Sequence, residues 1–234
     1  MRLFAIGDLH LSMSGDKPMD VFGEHWKDHH MLLERNWRRD VCDDDTVLLP
    51  GDLSWAMDLE EAREDLEWLG RLPGRKVVIK GNHDLWWASL SKLRSALPKG
   101  IIPLQHTALR TGPAVITGVR GWITPLWDEF DEERDGKVYR RELLRLEMAL
   151  EAAGGLMDRR RKLVVMMHYP PIVGGAPTEF ADMMSDRGVD VCVYGHIHCA
   201  PGCWPERLDT ESGGVLYRLV SADRLDFTPL ELAV

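Results

Sequence analysis

Five short clusters along the chain carry side chains able to bind metal ions. They are Gly7-Asp8-Leu9-His10, Gly51-Asp52, Gly81-Asn82-His83-Asp84, a lone His168 in Met166-Met167-His168-Tyr169-Pro170, and Gly195-His196-Ile197-His198. Carboxylate, carboxamide and imidazole donors with no thiolate among them suit Mn, Fe, Zn or similar ions rather than a cysteine-based structural zinc. The set Asp8, His10, Asp52, Asn82, His168, His196 and His198 offers more ligands than one ion needs. The inventory therefore suggests two adjacent ions sharing one carboxylate. Two ions ~3.5 to 4 Å apart clamp the attacking and leaving oxygens of a displacement at phosphorus.

The elements that must position these residues are short apolar runs alternating with amphipathic stretches. Strands are predicted at Leu3 to Ile6, Thr46 to Leu49 and Lys76 to Ile79, with helices at His25 to Arg39 and Leu59 to Leu69 between them. Uniformly apolar strands in a β-α-β-α-β series point to an α/β fold with a buried parallel sheet and right-handed crossovers. Beyond it the pattern predicts a helix at Trp86 to Leu97, strands at Thr107 to Arg110 and Ala114 to Val119, and a helix at Val138 to Ala153. A strand at Leu163 to Met167, a helix at Thr178 to Asp186, a strand at Val189 to Tyr194 and a terminal hairpin from Gly214 to Val220 and Leu225 to Leu232 complete it. Residues 124–153, opening on acids and aromatics, look like an insertion or flap in a single domain, 1–234. Each ligand cluster follows a predicted strand, at the edge where ligands of open α/β sheets gather. One Asp or His there would read as a helix cap or a satisfied core residue; five at the same edge point to a site. Gly7, Gly51, Gly81 and Gly195 precede the ligands, where the chain must turn sharply near the site.

Composition narrows the partners. Lys and Arg number 29 against 38 Asp and Glu, a net charge of −9, which argues against a surface that holds nucleic acid by neutralising phosphates. The basic run Arg159-Arg160-Arg161-Lys162 reads as a solvated loop rather than a nuclease groove. No apolar stretch approaches the ~18 to 20 residues of a membrane span, and the N-terminal apolar run, cut by Asp8, does not read as a secretion signal. A cytoplasmic chain with reduced thiols at Cys42, Cys192, Cys199 and Cys203 is expected. Cysteine phosphatase chemistry needs an Arg six positions after the nucleophile, and Leu48, His198, Pro205 and Asp209 stand there instead. Trp55, Trp86, Arg120 and Trp122 are candidate substrate contacts, weighed against core packing. Oligomeric state is not legible.

In order and spacing, GDLH, GD, GNHD, the His of MMHYPP and GHIH resemble the signature of the calcineurin-like metallophosphoesterases. GDLSWAM with GNHDLWW is most similar to a bacterial group of predicted phosphohydrolases. The resemblance implies two facing mixed β-sheets flanked by helices. It implies a first ion, Mn in expectation and otherwise Fe or Zn, on Asp8, His10 and His198. A second such ion falls to Asn82, His168 and His196, with Asp52 bridging. It further implies in-line attack by a metal-bridging hydroxide on a phosphate mono- or diester, a small-molecule ester or nucleotide. His83 would protonate or stabilise the leaving oxygen and Asp84 would orient its ring. Two rivals on the same fold are a metal-binding interaction module without catalysis and a nuclease.

Overall fold

The computed structural model describes residues 1–13 and 17–234. In chain order the strands are β1 (Leu3–Ala5), β2 (Thr46–Leu49), β3 (Arg75–Val78), β4 (Ile101–Pro103), β5 (Ala108–Arg110), β6 (Ala114–Val119) and β7 (Lys162–Met167). A small ribbon of β8 (Ile172–Val173) and β9 (Ala176–Pro177) follows, then β10 (Val191–Tyr194), β11 (Thr210–Ser212), β12 (Val215–Leu219) and β13 (Leu230–Leu232). The helices are α1 (His29–Asp40), α2 (Arg63–Arg71), α3 (Leu90–Ala96), α4 (Glu132–Gly154) and α5 (Glu179–Asp186).

One sheet has the order β13-β1-β2-β3-β4 and the other β11-β12-β10-β7-β6-β5. In each, four neighbouring strands run parallel and the antiparallel strands lie at the edges. Side-chain alternation builds the layers. Leu3, Ala5, Leu48 and Val77 meet Ile116, Val164, Met166 and Val193 in a core between the sheets. Phe4, Val47, Leu49 and Val78 point the other way, onto Leu33 and Trp37 of α1, Leu66 and Leu69 of α2, and Leu93 of α3. Val115, Val165, Met167 and Tyr194 back onto Leu146 and Leu150 of α4 and Phe180 of α5. The expected sandwich of two facing mixed sheets flanked by helices is the architecture observed.

The second helix starts at Arg63 rather than Leu59 and α4 at Glu132 rather than Val138, and three further local expectations change. The helix expected from His25 is broken: a 3-10 turn at Glu24–Trp26 precedes α1, with Asp28 at φ 50° between them. Trp26 and His29 are both buried, and the left-handed residue lets the chain seat both. The helix expected from Trp86 starts only at Leu90, where the Ser89 side chain accepts from the Lys92 N–H. The terminal hairpin does not form: β12 pairs with β10 in one sheet and β13 with β1 in the other. Burial of Ala222 and Phe227 under the β1 side carries the chain across the sandwich.

Candidate metal centre

Adjacency in the two sheets brings the clusters together. β1, β2 and β3 lie side by side and release Asp8, His10, Asp52 and Asn82 from their carboxyl ends. β7 and β10, neighbours in the facing sheet, release His168, His196 and His198. Backbone bonds lock the loops to one another: Asp8 N–H donates to Gly51 O and His10 N–H to Asp52 O, each at 3.0 Å. Asp8, His10, Asp52 and His196 sit in the left-handed region, at φ 54°, 46°, 51° and 73°. Non-glycine residues adopt it at a cost and persist there where the surroundings over-determine them, commonly at functional sites. Two glycines make the room. A Cβ on Gly81 would collide with Asp52 Oδ1, and one on Gly195 with Asp8 Oδ2.

The donor atoms converge in two groups. His10 Nε2 lies 3.2 Å from His198 Nε2, and His168 Nε2 lies 3.2 Å from His196 Nδ1. Asn82 Oδ1 touches both members of the second pair, at 2.5 and 2.9 Å. Asp52 Oδ2 stands between the groups, 3.9 Å from His10 Nε2 and 3.4 Å from His168 Nε2. Ligand atoms of Asp8, His10 and His198, and of Asp8, Asp52 and His168, lie within 4.8 Å of one another.

These residues fit metal ions on three grounds. First, two nitrogens bound at ~2.0 to 2.1 Å to one tetrahedral ion stand roughly 3.3 Å apart, close to both imidazole pairs. Second, partners outside the site fix the tautomers. His168 Nδ1 donates to Pro50 O at 3.1 Å and His198 Nδ1 faces Asp223 Oδ1 at 3.1 Å, so each presents an Nε2 lone pair inward. The His168 lone pair then faces the oxygens of Asn82 and Asp52, an arrangement that a cation relieves. Third, protons are poor substitutes. Burial depresses His168 to about 3 and His196 to about 2, while burial, helped by the Asp52 charge, lifts Asp8 to about 7. His198 is the exception, raised against its burial by the Asp223 carboxylate; elsewhere in the site, buried carboxylates that resist ionisation beside neutral imidazoles gain most from a positive ion.

The remaining sequence candidates divide. His83 donates its backbone N–H to Asp52 Oδ1 at 2.7 Å, and its ring packs on Trp55 with centroids 4.3 Å apart. His83, Trp55, Trp26, Phe22, His10 and His198 line a cavity of about 320 Å³ that opens on the ligand set. Asp84 differs from expectation. Its carboxylate accepts from the backbone N–H groups of Asp52, Leu53, Ser54 and Gly81 and from the Trp86 indole, at 2.8 to 3.3 Å. Among the described residues no hydrogen bond joins it to the His83 ring, because these five donors claim both oxygens. It ties the β2 and β3 loops together. Trp86 is 2% exposed and serves that tie, with no face open to a substrate. Arg120 and Trp122 stack on each other at 4.6 Å, beside the site rather than in the His83 cavity.

Asp223, Tyr169 and Trp127 carry no motif in the sequence and join the site only in the fold. Asp223 orients His198, and it too follows a strand, β12, so the strand-end rule reaches it. The Tyr169 ring stands 4.2 Å from that of His196. Trp127, in the acid- and aromatic-rich stretch, stands 6.2 Å from it; its buried indole N–H has no partner among the described residues. The four cysteines are free thiols.

A model of the family described as calcineurin-like phosphoesterase matches residues 1–200. No curated protein matches the chain. Among solved structures, the chain is similar to the protein of unknown function AQ665 from Aquifex aeolicus, with 17% identity, a TM-score of 0.52, and 98% of this chain and 95% of that one covered. At that identity the likeness shows the fold alone. The family match runs from the first strand through the last ligand loop, over the stretch whose loops build this centre, and the chain belongs to the calcineurin-like phosphoesterase family.

Proposed function

We propose that the chain is a metal-dependent phosphoester hydrolase that holds two ions between its sheets and cleaves small-molecule phosphate mono- or diesters. The observation that carries this reading is Asp52 Oδ2 standing between two imidazole pairs, each 3.2 Å apart. Asp8, His10 and His198 would hold one ion and Asn82, His168 and His196 the other, with Asp52 shared. Bound there, such ions neutralise phosphoryl oxygens and lower the pKa of water. Asp223 and the Pro50 carbonyl keep His198 and His168 in the liganding tautomer. His83, beside that cluster and facing the cavity, protonates the leaving oxygen. Trp26, Trp55 and Phe22 give the leaving group an apolar wall and keep water from it.

Asp52→Asn beside the wild type tests the reading. Removing the shared charge should lower Mn content per chain, measured by elemental analysis, and cut turnover of p-nitrophenyl phosphate by ~10²-fold or more. Undiminished metal and normal turnover would remove the bridging role, and a wild-type chain fully active after thorough chelation would end the metal-dependent reading.

A further inference from the structure

In a chain of net charge −9, one cavity gathers positive charge. It measures about 390 Å³ and lies past the carboxyl ends of β3, β4 and β6, with Lys80, His106, Arg120, Arg141 and Arg145 on its walls and Glu142 as its one carboxylate. Glu142 is 1% exposed and accepts from Arg145 at 2.6 Å, but its oxygen is 3.8 Å from both Arg120 and Arg141. One carboxylate thus gathers three guanidinium groups while hydrogen-bonding one. The Arg120 side chain, 19% exposed, makes no hydrogen bond among the described residues, and neither does Lys80. Partly buried cations with unused donors are costly by themselves. They suit an oxyanion, which a planar guanidinium meets with two parallel N–H bonds. His106 on the rim is held at φ 54°, a strained conformation of the kind found at binding sites.

The cavity adjoins the metal centre. Lys80 is two residues from Asn82, a reach of at most roughly 7 Å between their Cα atoms. The Arg120 carbonyl accepts from the backbone N–H groups of His168 and Tyr169, at 3.1 and 2.9 Å. Resting on the phosphohydrolase reading above, we propose that Lys80, Arg120, Arg141 and Arg145 bind a second phosphate-type group of the substrate while the ester to be cleaved lies at the metal centre. The substrate class is then a compound with two anionic groups on a short spacer, and the cavity selects it over a simple monoester.

Titration calorimetry of the full-length chain with inorganic phosphate, under chelation and with Mn²⁺ supplied, reads the cavity directly. Phosphate should bind the chelated chain, and the double variant Lys80→Gln/Arg141→Gln should weaken that binding about tenfold, as losing charged hydrogen bonds does. Arg141 is half exposed and neither side chain carries a hydrogen bond among the described residues, so the variant should fold, which circular dichroism checks. With Mn²⁺, kcat/KM for a hexose bisphosphate should exceed that for the hexose monophosphate by about tenfold, and the double variant should lose the difference. Phosphate binding that is absent or indifferent to the variant overturns the site. Variant-sensitive phosphate binding with no preference for the bisphosphate overturns the substrate assignment and makes the anion a free effector. If no ester is turned over under any metal, the hydrolase reading fails, while the titration under chelation still decides whether the cavity takes phosphate.

Discussion

His83 differs from its neighbours Asn82 and Asp84 in having its side chain free of both the ligand cluster and the loop tie. Its backbone is pinned by Asp52 and its ring faces a cavity against Trp55, as the proposed proton donor requires. A general acid contributes ~10² to 10⁴-fold, more as the leaving group becomes more basic. His83→Ala should therefore keep the wild-type metal content, lower kcat strongly on alkyl phosphates and lower it less on p-nitrophenyl phosphate. Loss of a metal equivalent, or equal slowing of both esters, would take the proton-donor role from His83. For Asp84 the geometry predicts another result. Asp84→Asn turns an NH₂ group toward donors that need an acceptor, at a cost of about 1 to 3 kcal/mol. At ~2 to 4 °C per kcal/mol for a chain of this size, the melting temperature should fall by roughly 5 °C with both esters slowed alike. A leaving-group-selective loss at an unchanged melting temperature would restore Asp84 as the orienter of the His83 ring.

At the scale of elements, β3 shows how strongly a strand is held. It delivers Asn82 and His83, yet it carries Lys76, 2% exposed, on the face that packs against α1. The ammonium donates to the Leu72 carbonyl and lies 6.0 Å from the Trp37 ring. Burial pushes its pKa down from 10.5 to about 8, with the Arg38 charge adding and Asp43 opposing. Because the folded pKa is the lower one, the folded state bears a penalty for the charged lysine below pH about 8. That penalty fades as pH rises toward 10.5, where the unfolded chain also loses the proton. Lys76→Met should stabilise the protein by about 2 kcal/mol at pH 7, allowing for solvent screening. The gain should shrink between pH 8 and 10 in urea unfolding. A variant less stable than wild type at pH 7 would show that the carbonyl bond and Trp37 contact outweigh desolvation.

For the whole molecule, the decisive feature is that neither sheet holds a complete site. Asp8, His10, Asp52 and Asn82 come from one and His168, His196 and His198 from the other, so an ion ligated from both would staple the sandwich at its carboxyl edge. A ligand at about 100 times its Kd stabilises the folded state by ~2.7 kcal/mol, which for this length corresponds to a melting temperature higher by roughly 5 to 10 °C. Calorimetric scans with Mn²⁺ and with excess chelator should differ by that amount. Identical scans would mean that the two halves are not joined through metal.

The sequence by itself determined which donor types are present and where along the chain they stand. Ligand type is a property of the side chain, and the rule placing Asp8, Asp52, Asn82, His168 and His196 after apolar runs is local, so both are legible without coordinates. The layered α/β fold was legible for the same reason, since period-two and helical patterns are short-range. Tertiary structure decided what depends on residues far apart in the chain. It set which nitrogen of His168 faces inward, through Pro50, and which carboxylate turns His198, through Asp223. It turned Asp84 from His83 toward five N–H donors, and sent β13 across to β1 rather than back along β12. It also drew Lys80, Arg120, Arg141 and Arg145, scattered through an acidic sequence, onto one cavity. Hydrogen-bond partners and net local charge are set by distances in space, and a strand order can bring together residues between which the chain records no relation.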